Sequence, residues 1–155
     1  MKVYLAGPLF SWAEREFNHH LAWSLRFHGF DVLNPQEFEP RDKDVDISVA
    51  LFRADVQAID EADFVLANMD GPDPDSGTAW ECGYAYAKGK TVYTYRTDFR
   101  SSGDCGAAKF NLMLWCSSHC LMTEQIPEQY GHETRGTDDA PTILSRTLAQ
   151  IYDGK

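Results

Sequence analysis

Short apolar runs alternate with longer amphipathic segments along the chain, and glycine, proline or asparagine separates most of them. An apolar run of four to eight residues between turn residues is typical of a buried strand, whereas apolar positions three or four residues apart indicate a helix. This pattern predicts strands at residues 3–6, 30–33, 64–67, 91–95 and 119–122. It predicts helices at residues 12–28, 46–62, 76–88, 110–115 and 141–152.

The order of these elements defines the expected fold. Strands that alternate with helices form βαβ units, and right-handed crossovers between them produce a doubly wound sheet. We therefore predict an α/β protein with a single domain over residues 1–155, in which helices flank a Rossmann- or flavodoxin-like parallel sheet of five strands. In such sheets, ligands bind beyond the carboxyl ends of the strands, where strand order reverses. The loops expected there are 7–12, 34–45, 68–77 and 96–110.

Composition narrows the classes of partner. The 155 residues carry a formal net charge of −10, which argues against a nucleic-acid polymer because phosphate binding needs clustered lysine and arginine. No apolar run reaches the roughly 18 residues of a membrane span, and the first strand stops too early at Gly7-Pro8 for a signal peptide. We therefore expect a cytoplasmic protein with reduced cysteines and a small ligand. Cys116, His119 and Cys120 form only a weak metal motif, so no metal is predicted.

A carboxyl group on the apolar side of a helix is the first candidate for chemistry. On the predicted helix 46–62, Asp55 falls inside the arc of apolar residues, which are Val49, Leu51, Phe52, Val56, Ile59 and Ala62. A buried carboxyl group is costly unless it is satisfied, and burial raises its pKa. Asp55 is therefore either a structural cap for a neighbouring loop or an acid that delivers a proton to a ligand.

The segment after the third strand holds two more acidic residues. Asp75 is a natural N-cap for the helix that follows, and capping alone is one explanation for it. Glu81 stands four residues after Gly77, and helical side chains lean toward the N-terminus, so its carboxylate is expected above a turn without a side chain. A ligand then has a path to Glu81, although a solvated glutamate is the plainer alternative. The packing face of this helix is predicted to be Trp80, Gly83, Tyr84 and Ala87.

Asp55, Asp75 and Glu81 are all expected at the carboxyl edge of the sheet. Three carboxyl groups that converge at one place are hard to explain as surface charge. They suit a reaction with an oxocarbenium-like transition state, in which one carboxylate attacks and another group protonates the leaving group. The spacing suggests this chemistry without fixing the substrate.

The chain resembles the nucleoside 2-deoxyribosyltransferase family along nearly its whole length. Four segments carry the resemblance: VYLAGP at residues 3–8, Asp55 with Asp63 eight residues later, DSGTAWECGYA at residues 75–85, and FNLML at residues 110–114. Each segment is a modest signal, but the four stand in the family's order and spacing, each at a strand-end loop.

The resemblance implies a role for each catalytic candidate. Glu81 is the implied nucleophile that attacks C1′ of deoxyribose, and Tyr4 is the implied hydrogen-bond partner that orients it. Asp55 is the implied acid that protonates the departing base and deprotonates the incoming one. The family exchanges the bases of 2′-deoxyribonucleosides in nucleotide salvage, and the resemblance implies neither a metal nor a cofactor.

The resemblance also implies a set of substrate-binding residues. Asp75 is expected to bind sugar hydroxyls, and Asn111 to reach a sugar hydroxyl in a neighbouring subunit's site, so a homo-oligomer of at least two chains is implied. Phe10 and Trp12 are candidates to stack on the base, with core packing as the alternative for both. The remaining implied members of the substrate site are Gly7, Pro8, Gly77 and Met113.

Other functions stay open on the sequence alone. A hydrolase of the same fold that cleaves deoxynucleoside 5′-monophosphates needs groups to hold the phosphate, and Arg96, Arg100, Ser101 and Ser102 are the candidates. A non-catalytic nucleoside sensor has no need to keep a nucleophile and an acid together. A flavodoxin-type redox protein is compatible with the fold alone, since fold does not fix function. The preference for purines or pyrimidines is not readable from the sequence.

Overall fold

Five parallel strands form the centre of the protein. A computed structural model describes residues 1–38, 46–123 and 139–153. The strands are β1 (Lys2–Ala6), β2 (Asp31–Leu33), β3 (Phe64–Asn68), β4 (Thr91–Arg96) and β5 (His119–Thr123). Their order in the sheet is β2-β1-β3-β4-β5, and every pairing is parallel. The predicted doubly wound, flavodoxin-like sheet is confirmed.

Five α-helices connect or follow these strands. They are α1 (Trp12–Phe27), α2 (Ile47–Glu61), α3 (Ser76–Ala87), α4 (Leu112–Cys116) and α5 (Ala140–Asp153), and a short 3₁₀ turn spans Pro35–Glu37. Local signals set their ends. Ser11 forms a capping box with Glu14 at the start of α1, and Gly29, with a φ of 85°, follows its end. All predicted elements are present, with ends within two residues of the prediction.

Alternate side chains of the strands build two separate cores. Val3 and Leu5 of β1 pack on one face of the sheet, in a core that also holds buried residues of α1 and α5. Tyr4 and Ala6 point to the other face, in a core shared with α2, α3 and α4. Tyr4 therefore stands under the same layer of helices that carries Asp55 and Glu81.

The packing face predicted for α3 is wrong. Its buried residues are Thr78, Cys82 and Ala85, whose small side chains let the helix lie close to β3 and β4. Trp80 is 49% exposed and stacks on Tyr84 at 5.3 Å between ring centroids. The two large aromatic residues thus lie away from the sheet-facing side of α3.

The apolar arc predicted for α2 is buried only in its second half. Ala58 and Ile59 are buried, whereas Val49, Leu51 and Phe52 are between 37% and 53% exposed. In the first half of the helix, Phe52 contacts Trp80 of α3, with 5.5 Å between the ring centroids. Asp55 lies between the two halves and is half-buried.

Candidate active site

The candidate site lies where the strand order reverses. The chain passes from β1 to β2 on one side and then returns to β3 on the other side of β1. Crevices in doubly wound sheets form at this point, beyond the carboxyl ends of the strands. The loop after β1, the loop after β3 and the start of α3 therefore border the same crevice.

Tyr4 and Glu81 form the central contact of the site. The phenol of Tyr4 donates a hydrogen bond of 2.6 Å to Oε1 of Glu81. Tyr4 is fully buried, and burial raises the pKa of its phenol far above the ordinary value, with the negative charges of Glu81 and Asp55 acting in the same direction. The phenol consequently keeps its proton and acts as a permanent donor to the carboxylate.

The acidic side chains of the site act on one another. Burial raises the pKa of Glu81 to about 7, the hydrogen bond from Tyr4 opposes this rise, and the charges of Asp55 and Asp75 add to it. Burial raises the pKa of Asp55 to about 6. Asp55 and Asp75 are thus both near enough to Glu81 for their charges to act on it. Two carboxyl groups that titrate near neutral pH can divide the roles of base or nucleophile and acid.

Asp75 is fixed by the first turn of α3. One of its oxygens, Oδ2, accepts hydrogen bonds from the amide of Thr78 at 2.9 Å and from its hydroxyl at 3.2 Å. The capping role expected for Asp75 is therefore real, and it leaves Oδ1 outside these two bonds. A Cβ added at Gly77 would lie 3.1 Å from Oδ2, so glycine at this position keeps the carboxylate of Asp75 uncrowded.

The loop after β1 is held close to the sheet. A Cβ added at Gly7 would lie 3.3 Å from the Cβ of Asn68 at the end of β3, and the carbonyl of Pro8 accepts a hydrogen bond of 3.0 Å from Asn18. Phe10 and Trp12 are each 75% exposed, so the core-packing alternative is wrong for both residues. Their rings are available to a ligand or to another chain.

Asn111 and Met113 line a groove on the side of α3 that faces away from Glu81. The side-chain oxygen of Asn111 accepts a hydrogen bond from the amide of Met113 at 3.0 Å, which caps α4, and Met113 is 76% exposed. Both residues line a groove of about 690 Å³ with Ala79 of α3. Ala79 is two residues before Glu81 and so lies about 200° around the helix from it. Within one chain, this groove and Glu81 are on opposite sides of α3.

The basic residues considered for phosphate binding have other partners. Arg96 is 1% exposed, and its guanidinium donates to the backbone carbonyls of Met69, Gly71 and Arg100. The Arg100 side chain is paired with Asp98 at 2.6 Å. Sequence reasoning missed this use of Arg96. The sequence did carry a signal for it: Arg96 follows an apolar strand, and a cation buried at such a position needs hydrogen-bond acceptors around it.

Within residues 1–38, 46–123 and 139–153, no three His, Cys, Asp or Glu side chains are grouped so that they could hold a metal ion. In the same part of the chain, no helix combines the length and apolar character that crossing a membrane requires. The predicted absence of metals and cofactors stays a prediction.

Comparisons with known proteins identify the family. The family model for nucleoside 2-deoxyribosyltransferase matches residues 3–114. A conserved protein from Enterococcus faecalis V583 is 26% identical, with a TM-score of 0.71 over 97% of this chain and 98% of that one. A 2-deoxyribosyltransferase from Bacillus psychrosaccharolyticus is 28% identical, with a TM-score of 0.63 over 81% of this chain and 87% of that one. A 2-desoxiribosyltransferase from Leishmania mexicana is 25% identical, with a TM-score of 0.58 over 73% and 84%.

A search of curated protein sequences gives no match. The family match nonetheless covers more than half of the chain, and the protein from Enterococcus faecalis V583 shares its fold over 97% of the chain. The chain belongs to the nucleoside 2-deoxyribosyltransferase family of enzymes.

Proposed function

We propose that the chain is a nucleoside 2-deoxyribosyltransferase that exchanges the base of 2′-deoxyribonucleosides by double displacement. The observation that carries this proposal is the 2.6 Å hydrogen bond from Tyr4 to Glu81, in a site where Asp55 and Asp75 act on the same carboxylate. A buried, oriented carboxylate with an acid nearby is what a retaining glycosyl transfer needs.

The first half-reaction forms an ester between enzyme and sugar. An oxygen of Glu81 attacks C1′, the C1′–N bond breaks, and its electron pair passes to the base nitrogen. Asp55 gives its proton to the departing base. The negative charge of Glu81 stabilises the positive charge that develops on the sugar before the new bond is complete. The product is a deoxyribosyl ester of Glu81 and a free base.

The second half-reaction reverses these steps with another base. A nitrogen of the incoming base attacks C1′, Asp55 accepts its proton, and the ester bond breaks to return the electron pair to Glu81. Tyr4 remains protonated throughout because burial holds its pKa far above neutral. Its hydroxyl stabilises the carboxylate each time that Glu81 is released.

The reactive form holds one proton on the pair of acids. Asp55 must be protonated and Glu81 ionised, whereas the pKa values of about 6 and about 7 favour the proton on Glu81 in the empty site. The reactive distribution is then the less populated of the two singly protonated forms. The sugar's positive charge in the transition state favours ionised Glu81 and so the reactive form.

The other members of the site bind substrate. Asp75, with one oxygen fixed by Thr78, offers the other oxygen to sugar hydroxyls. Gly77 leaves room for this contact. Gly7, Pro8 and the exposed ring of Phe10 form the base side of the crevice. The net charge of −10 suits neutral nucleosides and free bases better than phosphorylated ones.

Asn111 and Met113 are proposed to serve the site of a second copy of the chain. Their position on the side of α3 away from Glu81 prevents them from reaching their own chain's carboxylate. The exposed side chain of Met113 is compatible with a contact to another subunit. The proposed active form is therefore a homo-oligomer of at least two chains.

The rival function is hydrolysis of deoxynucleoside 5′-monophosphates. Such a hydrolase needs a phosphate site, for which the candidate residues in the sequence are Arg96, Arg100, Ser101 and Ser102. The guanidinium of Arg96 is occupied by backbone carbonyls, and that of Arg100 by Asp98. These partners argue for the transferase, since neither arginine is free to bind a phosphate without losing contacts.

One assay separates the two functions. The purified chain is incubated with deoxyinosine, with and without adenine, and the products are separated by chromatography. The transferase forms deoxyadenosine only when adenine is present. Release of hypoxanthine at the same rate in both incubations, or activity confined to deoxyinosine 5′-monophosphate, contradicts the proposal. The Glu81→Gln variant is the blank for contaminating activity.

A further inference from the structure

A buried arginine joins two loops at the carboxyl edge of the sheet. Arg96 is the last residue of β4. Its Nε and Nη2 donate to the carbonyl of Arg100 at 3.0 and 2.6 Å, Nη2 also donates to the carbonyl of Gly71 at 2.9 Å, and Nη1 donates to the carbonyl of Met69. A single side chain thus holds the loop after β3 against the loop after β4.

An aspartate of the first loop completes the connection in the opposite direction. Oδ1 of Asp70 accepts hydrogen bonds from the amides of Thr97 and Asp98 at 2.5 and 2.7 Å. Its Oδ2 accepts one from the hydroxyl of Thr97 at 2.6 Å. The side chain of each loop therefore binds the backbone of the other. We call Arg96 and Asp70 with these contacts the loop clasp.

The segment between the loop clasp and Asp75 has little freedom to move independently. Gly71 adopts a φ of 98°, and Pro72 and Pro74 have φ fixed by their rings. Pro74 is also buried. Two of the three residues between Gly71 and Asp75 thus have a fixed φ, which shortens the flexible path between the loop clasp and that carboxylate.

We infer that Arg96 is a positioning residue that sets the carboxylate of Asp75 for the sugar through the loop clasp. This inference rests on the proposed function, in which Asp75 binds sugar hydroxyls. Lysine cannot replace arginine here, because the planar guanidinium reaches three carbonyl groups at once and an ammonium is a compact point charge. Displacement of a substrate-binding group by about 1 Å costs on the order of a hundredfold in rate.

A double-mutant cycle tests this route of action. Arg96→Lys is made in the wild-type chain and in an Asp75→Ser chain, where serine keeps the helix cap but removes the carboxylate. We expect Arg96→Lys to lower kcat/KM for deoxyinosine by roughly tenfold to a hundredfold in the first background and by less than about threefold in the second. Equal factors in the two backgrounds overturn the inference, because a general structural defect does not depend on Asp75.

A matched control comes from the same loop. Arg100→Gln removes a side chain that pairs with Asp98, and it leaves in place both the carbonyl of residue 100 that Arg96 binds and the 3.6 Å ion pair between Arg96 and Asp98. It is expected to change kcat/KM in neither background. If Arg96→Lys does not fold, Asp70→Asn weakens the other half of the loop clasp, and it must show the same dependence on Asp75 for the inference to stand.

Amide hydrogen exchange gives a readout that does not require activity. The amide of Thr78 is bonded to Asp75, so its exchange reports whether that carboxylate is in place. Arg96→Lys is expected to speed this exchange severalfold, with Arg100→Gln at the wild-type rate. An unchanged Thr78 rate in Arg96→Lys overturns the inference. Absence of base exchange by the wild type is a separate result that defeats only the proposed function.

Discussion

The phenol of Tyr4 and the carboxylate of Glu81, 77 residues apart in sequence, are joined by a hydrogen bond of 2.6 Å. The bond links strand β1 to the middle of α3 and opposes the rise in the pKa of Glu81 that burial causes. A buried carboxylate that must be ionised to react thus has a donor that cannot itself ionise near neutral pH. The first predictions follow from this pair.

Tyr4→Phe is expected to slow base exchange without unfolding the chain. A hydrogen bond to a charged group contributes about 1.5–3 kcal/mol, which corresponds to roughly tenfold to over a hundredfold in rate. Without this donor, the pKa of Glu81 rises further, so the pair of acids loses its second proton later and the descending limb of the rate profile moves to higher pH. The matched control is Tyr93→Phe, which removes the phenol of a buried tyrosine in the opposite core. Equal rates and profiles for both variants would contradict the role given to Tyr4.

Glu81→Gln is expected to abolish transfer and to stabilise the fold above neutral pH. The pKa of Glu81 is about 7 in the folded chain against an ordinary value of 4.5, so the folded chain binds this proton more tightly. Binding of this proton therefore stabilises the folded chain relative to the unfolded chain. The stabilisation is fully present below pH 4.5 and is lost as the pH rises through 7. The gain at pH 8 is on the order of 2–3 kcal/mol and shrinks toward pH 5. Urea unfolding at both pH values measures it, with Glu16→Gln, an exposed site, as the control.

The pH dependence of kcat/KM is expected to be bell-shaped. Activity rises as the pair of acids loses its first proton, near pH 6, and falls as it loses the second, near pH 7. Asp55→Asn removes the acid, so we expect a loss of about 10²–10⁴-fold and no descending limb. A donor whose base leaves without a proton, such as 7-methyl-2′-deoxyguanosine, should recover much of the loss. A descending limb that persists in Asp55→Asn would assign the acid to another residue.

Two glycine substitutions on α3 distinguish an effect on the substrate site from an effect on the stability of the helix. Gly77→Ala places a Cβ 3.1 Å from Oδ2 of Asp75 and is expected to lower kcat/KM for deoxyinosine by roughly tenfold. A Cβ at Gly83 meets nothing within 4 Å. Gly83→Ala should therefore leave kcat/KM unchanged and raise the free energy of unfolding by about 0.5–1 kcal/mol. Similar values of kcat/KM for the two variants would contradict the substrate-binding role proposed for Asp75.

Much of this arrangement was predictable because its signals are local. The first two strands ended where Gly7 and Asn34-Pro35 stopped them, and helices began at residues with capping side chains, so the order and type of elements followed from the sequence. The burial of Asp55 followed from its place among apolar residues of one helix. The convergence of the three carboxyl groups followed from the rule that strand-end loops of a parallel sheet meet at one edge.

The rest depended on contacts between distant segments. The side of α3 that packs on the sheet is chosen by close approach, which favoured Cys82 and Ala85 over the larger Trp80, and no local pattern encodes that choice. The use of Arg96 to hold two loops requires knowing which carbonyl groups lie beside it. The single domain, the second subunit at Asn111 and the cytoplasmic location stay predictions.

The covalent intermediate is the most direct test of the account. The purified chain is mixed with excess deoxyinosine in the absence of any acceptor base, quenched in acid, and measured by intact-mass spectrometry. We predict a species heavier by one deoxyribosyl group, located on Glu81 by peptide mapping, absent from Glu81→Gln and discharged by adenine as deoxyadenosine. An active chain that never carries the adduct, or an adduct that persists in Glu81→Gln, would contradict transfer through this carboxylate.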